Sequence, residues 1–299
     1  MIRLVLAAWL ALCGVANAQL SGGVGGFPGP GTVHSTGVTC SSSEGNAFLT
    51  RATLITNNTD KTNYCALIDG LVTDGLCCAA TGGVLDALYI FAAPDSTTAK
   101  LNLTQNAFNA TQTGSLTFAA AQGFTGDGTT GFLDTGFNLL TAGGNYAQDS
   151  STIGCYSLTS RTVDQNYTML GASNGRATRI VGKQAAGPGG AIYEVNSNAG
   201  TSFFTTANAQ GSWLATRTAS NLTTLYKNGS SVATTAGVSG SRDSLNLYMF
   251  AINNAGAAGA FSADKMSACF IGAGMNGTQA GNMQSRLNTF MTAYSINVY

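Results

Sequence analysis

From Asp60 onward the apolar positions fall into a helical rhythm. Tyr64, Leu67, Ile68, Leu71 and Val72 recur at i, i+3, i+4, i+7 and i+8, which lines one face of an α-helix. Asp60 is placed to cap the first turn, and the pattern stops near Gly75. The rhythm then changes. Leu85-Asp86-Ala87-Leu88-Tyr89-Ile90-Phe91 is a short, aromatic-rich apolar run of the kind that forms a buried strand. From Leu101 to about Phe270, β-like runs alternate with clusters of Gly, Asn, Asp and Ser. They include Leu116-Thr117-Phe118, Ile153 to Leu158, Arg179-Ile180-Val181, Ala191 to Val195 and Leu245 to Phe250. Strands at this spacing, with no helical pattern between them, predict an antiparallel sandwich or barrel. Asn228-Gly229 lies between two strand-forming runs, Thr223 to Lys227 and Ser230 to Ala233, and predicts a tight hairpin. At the end, Met283, Leu287, Phe290, Met291 and Tyr294 return to helical spacing behind Thr278, the expected cap. That helix is expected to pack on the sandwich. The fold class is therefore all-β, an antiparallel sandwich or barrel with a short N-terminal helix and a C-terminal helix.

The start of the chain reads differently. Arg3, the apolar run Leu4 to Cys13 and the small-x-small site Ala16-Asn17-Ala18 have the form of a secretory signal peptide over residues 1–18. A lipoprotein signal at Cys13 is the rival, and Leu12 is too bulky for its cleavage site. Residues 19–46 read as a flexible Gly/Pro-rich leader. Residues 47–299 read as one sandwich domain, with a helical lead-in over 47–84 and the sandwich over 85–299. Only 9% of residues are charged, and thirteen basic balance thirteen acidic, against roughly 25% charged in ordinary domains. So neutral a chain exerts no electrostatic pull on nucleic acid or anionic lipid, and no stretch after the signal is long and apolar enough to insert in a membrane.

Seven cysteines become six once the signal is removed: Cys40, Cys65, Cys77, Cys78, Cys155 and Cys269. An even number in an oxidising compartment implies disulfides, and the connectivity stays open. The adjacent Cys77 and Cys78 are expected to reach two different partners rather than each other. Seven Asn-x-Ser/Thr sequons occur, among them Asn102-Leu103-Thr104 and Asn276-Gly277-Thr278.

Trp213 to Arg217 followed by Leu225-Tyr226-Lys227-Asn228-Gly229, and Phe270-Ile271-Gly272-Ala273 before the last helix, resemble the laminin G-like, concanavalin A-like lectin/glucanase jelly rolls. Leu85 to Phe91 together with Gly123 to Gly136 is similar to a bacterial and phage-associated branch of that family. The resemblance covers roughly residues 50–299. It implies a jelly-roll sandwich that binds a glycan or cell-surface polysaccharide. The alternatives are a structural or adhesive particle protein and a glycosidase with an unusual Asp pair. In jelly rolls of this type the chain ends commonly return to one sheet, so a Cys155–Cys269 disulfide is expected. The two lie in the predicted strands Ile153 to Leu158 and Ala268 to Ala273.

The chemistry is mostly one of exclusions. The family's catalytic strand carries Glu-x-Asp-x-x-Glu, and retaining hydrolysis needs two carboxylates close together. This chain has two glutamates, Glu44 and an isolated Glu194, so no catalytic residue is expected. His34 is the sole histidine and sits in the leader, which leaves no basis for a triad or a histidine metal site. Gly126-Asp127-Gly128 and Asp134 resemble the calcium-ligating oxygens of some relatives, but turn formation is the expected role and no cofactor is assigned. For sugar binding the aromatic candidates are Tyr146, in a polar loop, and Tyr193 and Trp213, on strands. Core packing is the expected role for the last two.

Overall fold

The computed structural model describes residues 37–299 except 164, 185–188 and 199. The signal segment, most of the leader and His34 lie outside the described residues. Two helices open the chain, α1 (Ser43–Arg51) and α2 (Asn58–Thr73). Nine strands follow: β1 (Leu85–Ile90), β2 (Thr111–Thr113), β3 (Leu116–Ala119), β4 (Gly123–Gly126), β5 (Phe132–Asn138), β6 (Ser151–Ser157), β7 (Thr168–Ser173), β8 (Ala177–Gln184) and β9 (Gly190–Ser197). Then come β10 (Phe203–Thr205), β11 (Gly211–Ala219), β12 (Leu222–Lys227), β13 (Ser230–Thr235), β14 (Asn246–Met249), β15 (Ile252–Asn254), β16 (Ala257–Gly259) and β17 (Lys265–Gly272), before the closing helix α3 (Gly277–Thr292).

The strands form two sheets, as an antiparallel β-sandwich. The first runs β13-β12-β11-β6-β17-β4-β3, with β1 also pairing to β17. The second runs β10-β9-β8-β7-β14-β5-β2, with the β15–β16 hairpin attached to β7. Every pairing is antiparallel except β15 with β7. Between the sheets lies one core, in which Tyr89, Ile153, Trp213 and Ile271 of the first sheet meet Leu133, Phe137, Leu170, Ile180, Tyr193 and Met249 of the second. A second core lies on the outer face of the first sheet. There Leu88, Tyr156, Leu214 and Phe270 pack against Tyr64, Ile68 and Leu71 of α2 and Met283, Leu287 and Phe290 of α3. The layers are thus helices, first sheet, second sheet.

The apolar periods place the helix faces correctly, but the caps differ. α2 starts at Asn58 behind Asn57, whose side chain accepts from the Thr59 amide at 2.7 Å. Asp60 sits within the first turn and accepts instead from the Tyr294 hydroxyl at 2.8 Å. α3 is capped by Asn276, which accepts from the Gln279 amide while Gln279 accepts from the Asn276 amide. This reciprocal box satisfies two orphan groups, which Thr278 cannot do alone. α1 was not foreseen, because its first residues fall in the stretch read as leader. Ser42 caps it through the Gly45 amide, with Glu44 in its first turn and Arg51 in its last, the favourable order for the helix dipole. The Asn228-Gly229 turn has both residues at positive φ, 52° and 80°, as a two-residue hairpin between right-twisted strands requires.

Three disulfides are present among the described residues. Cys40–Cys65 ties the lead into α1 to α2. Cys155–Cys269 joins directly opposed residues of β6 and β17, at the middle of the first sheet. Cys77 and Cys78 are bonded to each other, which corrects the expectation of two separate partners. The other four cysteines among the described residues are paired with each other, Cys40 with Cys65 and Cys155 with Cys269, which leaves no further described cysteine for this turn.

Candidate functional site

The three aromatics nominated from sequence are all buried. Trp213 on β11 is fully enclosed, its Nε1 donating to the Ala209 carbonyl at 2.9 Å and its ring lying 4.5 Å from the Lys227 ammonium. Tyr193 on β9 points into the core between the sheets. Tyr146 lies in a loop, yet its hydroxyl donates to Asn196 Oδ1 at 2.8 Å inside the same core, and burial pushes its pKa up to about 12. None presents a ring face to solvent. The polar neighbours that made the Tyr146 loop look exposed are themselves structural. The buried Asp86 carboxylate accepts the Asn145 and Tyr146 amides, both at 2.8 Å, and draws this loop onto β1.

The partly exposed aromatics are elsewhere. Along β5, Leu133, Thr135 and Phe137 are buried, while Phe132, Asp134, Gly136 and Asn138 alternate with them and retain exposure. β14 repeats this, with Leu247 and Met249 inward and Asn246 and Tyr248 outward. Side chains of one strand alternate between faces, so Phe132, Asp134, Asn246 and Tyr248 share the outer face of the second sheet. Tyr248 stands opposite Asp134 in the ladder, and Thr111 of β2 stands on the other side of Asp134. The Phe132 and Tyr248 rings stack at 4.5 Å with 30° between their planes, and Phe261 approaches Phe132 at 6.3 Å. Asn246 Nδ2 donates to Asp134 Oδ1 at 3.1 Å, and the Gly136 amide donates to the same oxygen at 2.8 Å. Burial first, and the Asp134 charge second, hold the Tyr248 phenol above its ordinary pKa. It therefore stays a neutral donor at physiological pH.

This arrangement is a ring platform beside a carboxylate, an amide and a phenol, each fixed by the sheet. It was legible only in part, because Phe132 and Asp134 belong to the Gly123 to Gly136 segment but the sequence of β5 does not alternate cleanly between apolar and polar residues. What was missing is knowledge of which face the partner layer covers. The same sheet closes towards β9, where Glu194 is buried against Arg179. Both oxygens of Asp127 are occupied by the amides of Thr129, Thr130 and Gly131 and by the Thr130 hydroxyl, and these bonds hold its carboxyl well below the usual range. This is a turn-forming role. Among the described residues no three His, Cys, Asp or Glu side chains are grouped to hold a metal ion.

No family model matches the chain. No curated protein matches it either. Solved structures do. Domain 4 of AbnA, a GH43 extracellular arabinanase from Geobacillus stearothermophilus in complex with arabinotriose, is 13% identical with a TM-score of 0.47, covering 67% of this chain and 98% of that one. A Trypanosoma rangeli sialidase mutant displaying trans-sialidase activity is 13% identical with a TM-score of 0.48, over 76% of this chain and 38% of that one. The receptor-binding domain of a botulinum neurotoxin C/D mosaic serotype is 9% identical with a TM-score of 0.41, over 68% and 51%. No residue role passes from them to this chain.

Proposed function

We propose that the chain is a secreted, non-catalytic module that binds a glycan or cell-surface polysaccharide on the outer face of its second sheet. The observation that carries this reading is the Phe132–Tyr248 stack with Asp134 and Asn246 in the same register. A sugar ring has an apolar C–H face and a belt of hydroxyls, and a ring platform edged by a few fixed polar groups is complementary to both. The hydrolase alternative lacks support in the carboxylates. Asp134 is engaged by Asn246 and Gly136, and Glu194 is buried on Arg179. Three disulfides favour an oxidising compartment, extracellular or periplasmic. No helix among the described residues is long and apolar enough to cross a membrane. The hairpin and closing-strand motifs assign the sandwich, in our reading, to the concanavalin A-like, laminin G-like group. No cofactor enters the proposal.

A glycan array followed by titration of any hit tests it. Tyr248→Ala is expected to weaken binding by about tenfold or more, with folding intact. Affinity unchanged in both Tyr248→Ala and Phe132→Ala would place the ligand elsewhere, and no hit on any glycan would favour a structural or adhesive role.

A further inference from the structure

Outward positions of the second sheet line up in one row across its strands. Thr111 of β2 stands opposite Asp134 of β5, Asp134 opposite Tyr248 of β14, and Tyr248 opposite Gly171 of β7. Gly171 stands opposite Arg179 of β8, and Arg179 opposite Glu194 of β9. Directly opposed residues share a face, and a Cβ built on Gly171 would sit 3.0 Å from that of Arg179. The row therefore holds two acids and one cation. Arg179 is taken by Glu194, and Gly171 puts no side chain between it and Tyr248. Asp134 is left at the aromatic end of the row with the excess negative charge.

Lack of a cation is not in itself a signal. Asp69, Asp95 and Asp127 also lack one, but the amides and hydroxyls of a helix start or a turn fill their oxygens. Asp134 differs in two respects. Among the described residues its Oδ2 receives only the longer branch, at 3.3 Å, of the Asn246 amide that already serves Oδ1, and an ionised carboxylate offers about four acceptor positions. It also edges the part-exposed Phe132–Tyr248 stack, and the face of an aromatic ring attracts a cation. Thr111 and Thr113, both exposed on β2, add hydroxyls opposite Asp134 and Phe132. One negative charge, two rings and a few neutral polar groups suit a ligand that joins an ammonium to an apolar C–H face.

Resting on the reading that this face binds a glycan, we propose that its ligand class is a polysaccharide with free amino groups, the chemistry of a de-N-acetylated hexosamine chain. The ammonium sits on Asp134 Oδ2 and the C–H face of the sugar on Tyr248. Acetylation removes the charge that Asp134 takes up, and a uronate sets a second negative charge against it.

Calorimetric titration of the full chain compares a glucosamine hexamer with cellohexaose and an N-acetylglucosamine hexamer, neutral chains of the same backbone. Mildly acidic buffer keeps the amines protonated. The amino oligomer is expected to bind at least about tenfold more tightly than either, the combined effect of an exposed ion pair and a cation–π contact. Asp134→Asn keeps an acceptor for the Gly136 amide and should remove that preference while leaving the neutral chains unaffected. Tyr248→Ala should weaken all three. Equal affinity for the amino and neutral chains, or a preference that survives in Asp134→Asn, overturns the amino-sugar assignment and leaves the glycan reading standing. Hexalysine binding as tight as that of the amino oligomer, and equally lost in Asp134→Asn, overturns it in favour of a basic peptide. No binding by any of the three oligomers overturns it too, and the glycan reading falls with it only if the array is blank. If Asp134→Asn does not fold, a preference of the native chain that is undiminished at high salt overturns the assignment.

Discussion

The middle of the first sheet, at β1, β6 and β17, is covered on both faces, and the second sheet, around β5 and β14, on only one. Every residue of β1 and of β6 is buried, because one face meets the second sheet and the other meets α2 and α3. β5 and β14 instead alternate buried and part-exposed positions. A strand with two covered faces must be apolar or internally satisfied at every position, whereas a strand with one open face can spend every second residue on polar or functional groups. The contrast extends to charge. Arg217 of β11 is almost wholly enclosed, and its guanidinium donates to the carbonyls of Val195, Ala219, Ser220 and Gly237. Asp134, on the open face, meets an amide side chain and keeps acceptor capacity for a ligand.

Truncation should expose this difference most strongly. Trp213→Ala removes a fully enclosed ring and orphans the Ala209 carbonyl, and should cost about 3–5 kcal/mol in denaturant unfolding. Tyr248→Ala, on the open half, should cost about 1 kcal/mol or less. Equal losses would mean that the second sheet is as enclosed as the first.

Glycines sharpen the comparison next. A Cβ on Gly154 would sit 2.1 Å from Phe270 Cζ and 2.6 Å from the Trp213 carbonyl, so Gly154→Ala should lose about 1–3 kcal/mol or more by overpacking. Gly136 has nothing within 4 Å of such a Cβ but holds φ at 66°. Gly136→Ala should therefore lose only about 1 kcal/mol, from backbone strain. Thermal unfolding of the pair separates crowding from conformation.

The smallest effect is in pH dependence. Burial raises the Asp86 pKa in the folded state, opposed by the Asn145 and Tyr146 amides. A raised folded pKa means that the folded chain binds the proton more tightly than the unfolded chain. The stability this contributes is complete below the unfolded pKa and is lost as pH rises through the folded one. Asp127 and Asp69 carry lowered values and act in the opposite direction, losing stability as pH falls. The stability of the native chain relative to Asp86→Asn should therefore be greatest in acid and decline from about pH 3 towards neutrality. A difference that grows with pH would mean that the two amides outweigh burial.

Much of the architecture was legible because it rests on local patterning. The stripes of α2 and α3, the Asn228-Gly229 hairpin and the succession of β-like runs each follow from periods and turn chemistry that operate over a few residues. The helix starts were misplaced because a cap is decided by which side chain reaches which amide. Asn57 and Asn276 do so, and Asp60 and Thr278 do not. α1 was hidden because its stabilisers are distant. The amides of Ser41 and Ser42 and the Ser42 hydroxyl all donate to Asp69 of α2.

The candidate site illustrates the division most clearly. By itself the sequence determined that the chain is a charge-poor, disulfide-bonded β-sandwich flanked by helices, since composition and periodicity act along the chain. It could not determine which aromatic rings face solvent. A tyrosine on a strand is polar enough for water and apolar enough for a core, and its side of the sheet is worth nothing until another layer covers one face. Only the tertiary structure laid helices over the first sheet and left β5 and β14 open. That placement sent Tyr146, Tyr193 and Trp213 inward and Phe132 and Tyr248 outward.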